Sequence, residues 1–369
     1  VNLAVARTET GAIAFAERLM GLLDQGAFTA TYKYAVMLGL LDLCLEHASA
    51  KGVPPDSFTT RQLAEKVIAL YWPHTVPYPG LKEARVLRQN AGGQAEILSA
   101  IVRFRDSLKD DPLAPMSRAR GAAPERFERL VRTVEWKLIE MPLPRLQTAG
   151  AGAGGFVYAI GWDHGVKAAD VRRYQRGEAG GFDNQIRLFP GVAEWLVQLH
   201  GVLRPLLHRH WAAMVARLNA LEESRLERFL FGSERADLAR ARRVLLALQD
   251  GKCFYCRGSA RSAADVDHFL PWSRYPSDAW ENLVVADRGC NNAKRDFLAS
   301  ARHVAPWRAR MEDQGFSEAG ESISWERRAE ATLGVARAIY LRLPEGMGLW
   351  DGGERFVAAE PTGLGTALS

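Results

Sequence analysis

The chain has 369 residues, 47% hydrophobic and 25% charged, with a formal net charge of +5. Those values fit a soluble protein of about two or three domains with a sizeable core, and the modest positive balance favours polyanionic partners without specifying one. Four cysteines, three of them clustered, exclude a disulfide framework and imply a reducing compartment. With no apolar run of about 18 residues and no leader pattern at the N-terminus, a cytoplasmic protein without membrane association is expected.

Residues 1–115 read as a helical N-terminal domain. Phe28 to Glu46 carries apolar residues nearly all round, among them Tyr34, Val36, Leu38, Leu41 and Leu43, as a helix central to a bundle would, with Cys44 a buried free thiol. Beyond Pro54-Pro55, Thr59 or Thr60 can cap a helix whose Leu63, Val67 and Leu70 share a face, and Trp72-Pro73 ends it. A third helix is expected from about Gly93, on the spacing of Ile97, Ile101, Phe104 and Leu108. The preceding Arg88-Gln89-Asn90 reads either as a phosphate contact at a helix N-terminus or as a solvated turn.

Residues 116–233 read as a small β-sheet followed by a long helix. The Pro, Arg and Gly residues between 112 and 125 suggest a linker. Val134 to Ile139 and Phe156 to Trp162 read as strands joined by the Ala-Gly-Ala-Gly-Gly stretch at 151–155, and Gln185 to Phe189 as a third strand. A long helix is expected from Val192 through Leu218, kinked at Pro205. Lys167, Arg172, Arg173 and Arg176 around Tyr174 suit a nucleic-acid backbone and a wet surface equally. His200, His208 and His210 do not share one helix face and are not read as a metal site.

The densest chemistry lies between residues 253 and 296. Cys253 and Cys256 have the spacing that lets one tight turn offer two thiolates to a tetrahedral metal, and Asp287 with Cys290 repeats it, which looks like a structural zinc site. Asp265 to Phe269 and Asn282 to Ala286 read as a hairpin, and Cys290-Asn291-Asn292 stands where a short helix would begin. Asp267, His268 and Asn291 then converge as carboxylate, imidazole and amide, a set suited to hydrolysis with a hard divalent ion.

Taken together, Cys-x-x-Cys, Asp-His, the hairpin Asn282 and the closing Cys290-Asn291-x-x-Lys294 resemble the HNH endonucleases. The resemblance implies that His268 is a general base, that Asp267 and Asn291 ligate a catalytic Mg2+ (or Mn2+), and that Asn282 braces the loop holding the base. Cys253, Cys256 and Cys290 would bind Zn2+, with Asp287 as fourth ligand, since carboxylate oxygen is an accepted zinc donor. Two positions depart from the family pattern: Asn291 stands where many members carry a final His, and Asp287 where relatives usually carry Cys or His. Arg274, Lys294 and Arg295 are the expected phosphate contacts. Arg88, Arg172 and Arg173 are the first candidates for target recognition.

The expected architecture is α+β: a mainly helical body with a small antiparallel sheet and a C-terminal, zinc-stapled ββα-metal (HNH) module. Its divisions are 1–115, 116–233, a nuclease module over 234–303, and C-terminal helices over 304–369 with a frayed end from about Gly346. The expected function is metal-dependent DNA cleavage, in restriction or phage defence. One module cuts one strand, so a double-strand break needs a homodimer or two visits. The rivals are a zinc-containing nucleic-acid-binding protein that no longer cleaves, motivated by Asp287, and an RNA-directed or toxin nuclease bearing the same motifs.

Overall fold

A computed structural model of the protein shows an α+β fold, mostly helical with small antiparallel sheets. It describes residues 2–24, 29–108, 114–147, 155–178, 182–232, 238–260 and 264–369. The chain divides into two units, Val1–Cys44 with Pro55–Gly232, and Leu45–Pro54 with Ser233–Ser369. Among the described residues no helix is long and apolar enough to cross a membrane.

The first unit contains α1 (Asn2–Asp24), α2 (Tyr32–Glu46, whose last two residues count with the second unit), β1 (Ser57–Thr59), α3 (Thr60–Tyr71), α4 (Glu96–Asp106), α5 (Met116–Ala122) and α6 (Pro124–Glu140). It continues with β2 (Tyr158–Ile160), α7 (Ala168–Gln175), β3 (Gln185–Leu188), α8 (Val192–Gln198), α9 (His200–Asn219) and α10 (Glu223–Phe231). Helix α2 is buried on every side, as its all-round apolar sequence requires. Thr59 caps α3, its side chain accepting from the Gln62 amide while the Gln62 side chain reaches back to the Thr59 amide. The sheet has the order β1-β3-β2, antiparallel throughout.

Several expectations are overturned here. Val134 to Ile139 is helical, because Phe127, Leu130, Val131, Val134 and Leu138 form one buried face of α6 at helical spacing, which outweighs the β preference of two branched residues. The described part of the expected linker forms α5 and the start of α6. The stretch at 151–154 lies outside the described residues. The long helix is two helices that part at Leu199, with Pro205 inside the second. Gln89 is neither a phosphate contact nor part of a solvated turn: it is fully buried, accepting from Thr31 Oγ1 at 2.8 Å and Trp211 Nε1 at 2.7 Å, with His74 Nδ1 at 3.2 Å from its amide nitrogen.

In the second unit α11 (Ala239–Leu248) leads to the first cysteine pair, followed by the hairpin of β4 (Ala264–His268) and β5 (Leu283–Asp287), and then by α12 (Arg288–Lys294). The register runs from Ala264 opposite Asp287 to His268 opposite Leu283. After it come α13 (Ala301–Ala309), α14 (Gln314–Ser322), α15 (Ala329–Tyr340), the hairpin of β6 (Gly348–Gly352) and β7 (Arg355–Ala358), and α16 (Pro361–Leu368). The end from Gly346 is therefore ordered and not frayed. Its glycines supply the turn, with φ of 125° at Gly352 and 56° at Gly353, while Leu349, Trp350, Leu364 and Leu368 are buried.

Leu45–Pro54 is bound into this unit by the Arg328 guanidinium, whose Nη2 lies 2.9 Å from both Glu46 carboxylate oxygens. Beside it Gly334 approaches so closely that a Cβ would lie 2.1 Å from the Glu46 carbonyl oxygen. Gly334→Ala is expected to destabilise the protein. The overpacking penalty, about 1–3 kcal/mol or more against rigid backbone, exceeds the gain of about 1 kcal/mol from helix propensity. A denaturant melt that is unchanged or shifted towards stability would refute this.

Candidate metal centre and catalytic site

The turn carrying Cys253 and Cys256 is laid on β5 by backbone and side chain together. The Phe254 amide donates to the Val285 carbonyl at 2.8 Å, and the Gln249 side chain bonds both the Val285 amide (3.0 Å) and its carbonyl (2.8 Å). Arg257 closes the turn at φ 62°, its amide donating to the Cys253 carbonyl at 3.1 Å. Opposite, Asp287 ends β5 and caps α12, accepting the Cys290 amide through Oδ1 at 3.1 Å and the Cys256 thiol through Oδ2 at 3.3 Å.

The ligand atoms of Cys253, Cys256, Asp287 and Cys290 all lie within 4.8 Å of one another, a group that can hold a metal ion. Three sulfurs and one carboxylate oxygen at that spacing suit tetrahedral zinc, whose Zn–S bonds of about 2.3 Å set sulfurs roughly 3.8 Å apart. The protonation pattern of the cluster points the same way. Burial pushes the Cys290 thiol up, as do its hydrogen bond to Asp287 and the nearby Cys253. Burial also raises Cys253. Asp287 is held well below the usual carboxylate range: burial opposes this, but the Cys290 thiol and amide and the Cys253 and Cys256 thiols donate to it and prevail. Three thiols and an ionised carboxylate thus share space suited to one cation, which would displace the thiol protons on binding.

Asp267 and His268 close β4. Both carboxylate oxygens of Asp267 meet protein donors: the Tyr255 hydroxyl at 2.5 Å from Oδ2, and Lys294 Nζ at 3.0 Å from Oδ2 and 3.3 Å from Oδ1. Burial first, then the Asp267 charge, pushes the Tyr255 phenol far up, so it remains a donor. Lys294, expected to grip phosphate, is instead wholly buried, also donating to the His268 carbonyl at 2.8 Å. The physical reason is its place on the last turn of α12, facing β4, where the charge needs a buried partner. Asn291 is one turn earlier on that face of α12 and half-buried. His268 is 12% exposed, with Nε2 2.7 Å from Asp278 Oδ1 and its ring edge-to-face with Trp272 at 5.0 Å. Asn282 is fully buried and closes the loop after β4: its Oδ1 accepts the Leu270 amide at 2.8 Å, and its Nδ2 donates to the carbonyls of Leu270 (3.2 Å) and Ser277 (3.1 Å).

Of the remaining basic residues, Arg295 is exposed with Nε on the Asn292 carbonyl at 3.2 Å, and Arg274 is half-buried, its pKa lowered by that burial. Arg88, Arg172 and Arg173 lie in the first unit and are exposed, Arg88 with Nη2 on the Ala91 carbonyl and Arg173 paired with Glu178. His208 stacks on Phe231 at 4.0 Å, and burial lowers its pKa to about 3. Sequence reasoning missed Tyr255 and Asp278. Neither has a spacing that signals its role, since each reaches the Asp-His pair through a loop.

Residues 259–300 match the family model described as HNH endonuclease, which supports an HNH-family module in this part of the chain and with it a nuclease. No curated protein and no solved structure matches the chain.

Proposed function

We propose that the protein is a metal-dependent DNA endonuclease whose catalytic unit is a ββα-metal module formed by β4, β5 and α12. One observation carries the reading: the stretch matching HNH endonucleases sets Asp267 and His268 at the end of one strand, against the helix that bears Asn291. In this reading His268 accepts the proton of the attacking water, a task suited to imidazole at neutral pH. Asp267 and Asn291 would hold Mg2+ or Mn2+, which when bound supplies positive charge to the phosphate and the leaving 3′ oxygen. Asn282 keeps the loop beside the base closed. Cys253, Cys256, Asp287 and Cys290 would hold a structural zinc ion.

A specific observation favours a second reading. Lys294 and Tyr255 already satisfy Asp267, which suits a zinc-containing nucleic-acid-binding protein that does not cleave. Supercoiled plasmid incubated with Mg2+, Mn2+ or EDTA separates the two. Nicked or linear product is expected with the ions and none in EDTA. Uncut plasmid that is nonetheless bound would establish the second reading, and cleavage of RNA alone would establish an RNA-directed or toxin nuclease.

Target choice is assigned to residues 1–233, with Arg88, Arg172 and Arg173 as contacts, in keeping with a restriction or phage-defence role. The short module itself offers Arg274 and Arg295, which grip phosphate and carry little sequence information. The double variant Arg172→Ala, Arg173→Ala should alter discrimination between modified and unmodified plasmid in the same assay. Unchanged preference would move the first unit to a partner-binding role.

A further inference from the structure

We infer that Asp278 is the positioning residue of His268, fixing its tautomer and orientation; the inference rests on the general-base reading of His268. Asp278 Oδ1 lies 2.7 Å from His268 Nε2. An ionised carboxylate only accepts, so in the neutral ring Nε2 carries the hydrogen and Nδ1 keeps the lone pair. The pair therefore selects which ring nitrogen can take a proton from water. Trp272, edge-to-face at 5.0 Å, limits rotation of the ring about that bond.

Asp278 is itself held from two directions. Its own carbonyl accepts Trp325 Nε1 at 2.7 Å, and the preceding carbonyl, that of Ser277, accepts Asn282 Nδ2 at 3.1 Å. The segment carrying Trp325 is anchored in turn, since the Trp280 amide donates to the Glu326 carbonyl at 2.8 Å and the Arg328 amide to Glu281 Oε2 at 2.8 Å. Trp325 lies beyond the matched stretch of 259–300, so the orientation of the base depends on residues outside the recognisable module. A partly exposed His–Asp pair adds little to stability, its side chains being 12% and 28% exposed. Its effect falls on orientation.

Asp278→Asn tests this, because the amide matches the carboxylate in shape yet can donate to Nε2 and admit the other tautomer. The full-length protein, labelled with 15N at histidine, is compared with this variant, the His268 signals being assigned by their loss in His268→Ala. The wild type should show hydrogen on Nε2, and Asp278→Asn a mixture or the reverse. On DNA, kcat should fall by about 10²–10⁴-fold, up to the effect an acid-to-amide change has on the imidazole base of a serine-protease triad, with KM, zinc content and melting temperature unchanged. Trp325→Phe, which keeps the ring and removes the N–H, should move both readouts the same way by less. An unchanged tautomer in Asp278→Asn, or a changed tautomer with wild-type kcat, would overturn the inference. If the wild type cleaves nothing, the nuclease reading fails while the tautomer measurement still decides whether Asp278 positions the ring.

Discussion

Replacing His268 with alanine is expected to lower kcat for DNA cleavage by about 10²–10⁴-fold, the range general acid–base catalysis contributes, while DNA binding and zinc content stay near wild type. The structural cost should be small. Besides its edge-to-face contact with Trp272, the imidazole meets Asp278, which is 28% exposed and can be rehydrated when the ring is gone. By contrast, the backbone carbonyl of His268 accepts the buried Lys294, and alanine preserves that bond. An active His268→Ala protein would remove His268 from the mechanism. An inactive one that has also lost its zinc or its melting transition would show that the substitution acts on the fold.

Loss of the four-ligand cluster should act in the opposite way, on structure before chemistry. Elemental analysis is expected to find one zinc per chain, and Cys253→Ser to unfold the second unit. Structural zinc contributes on the order of 10 kcal/mol to such modules, against a net stability of about 5–15 kcal/mol for a whole domain. The cluster is where two stretches of chain meet: the turn after α11, and the junction at which β5 passes into α12. Strands β4 and β5 are five residues each and α12 seven, short elements that a metal staple at their ends would reinforce. Circular dichroism with chelator would follow the loss in the wild type. Protein isolated without zinc, or a fully folded Cys253→Ser variant, would refute the structural role.

Legibility in the sequence followed the range of the interactions. The cysteine pairs and Asp267-His268 could be read because a turn or a strand end fixes them within a few residues. Strand β5 was visible as a short run of Leu and Val, and β4 as a short extended run stopped by Pro271. The three-residue β1 was not, since it is defined by its pairing with β3, and Val134 to Ile139 misled because two β-branched residues stood out from a longer helical period. Lys294 was assigned to phosphate because a lysine is ordinarily solvated; only the packing of α12 against β4 shows that it neutralises Asp267. Asp278 and Trp325 could not be read at all. Their contacts to the base loop span 10 and 47 residues, with no periodicity to signal them.

The second unit draws on two pieces of chain, Leu45–Pro54 and Ser233–Ser369. About 180 residues of the first unit intervene between them. During synthesis at roughly 5–20 residues per second, the early piece emerges some 10 to 40 seconds before the late piece begins to follow. Until then Glu46 has no Arg328 to pair with, and no Gly334 against which its carbonyl can pack. A translation product truncated at either end thus lacks part of the packing of the unit that carries the candidate nuclease residues. A ribosome that stalls after residue 232 leaves no Asp-His pair, and a message restarted at 233 leaves the pair without its ten-residue anchor.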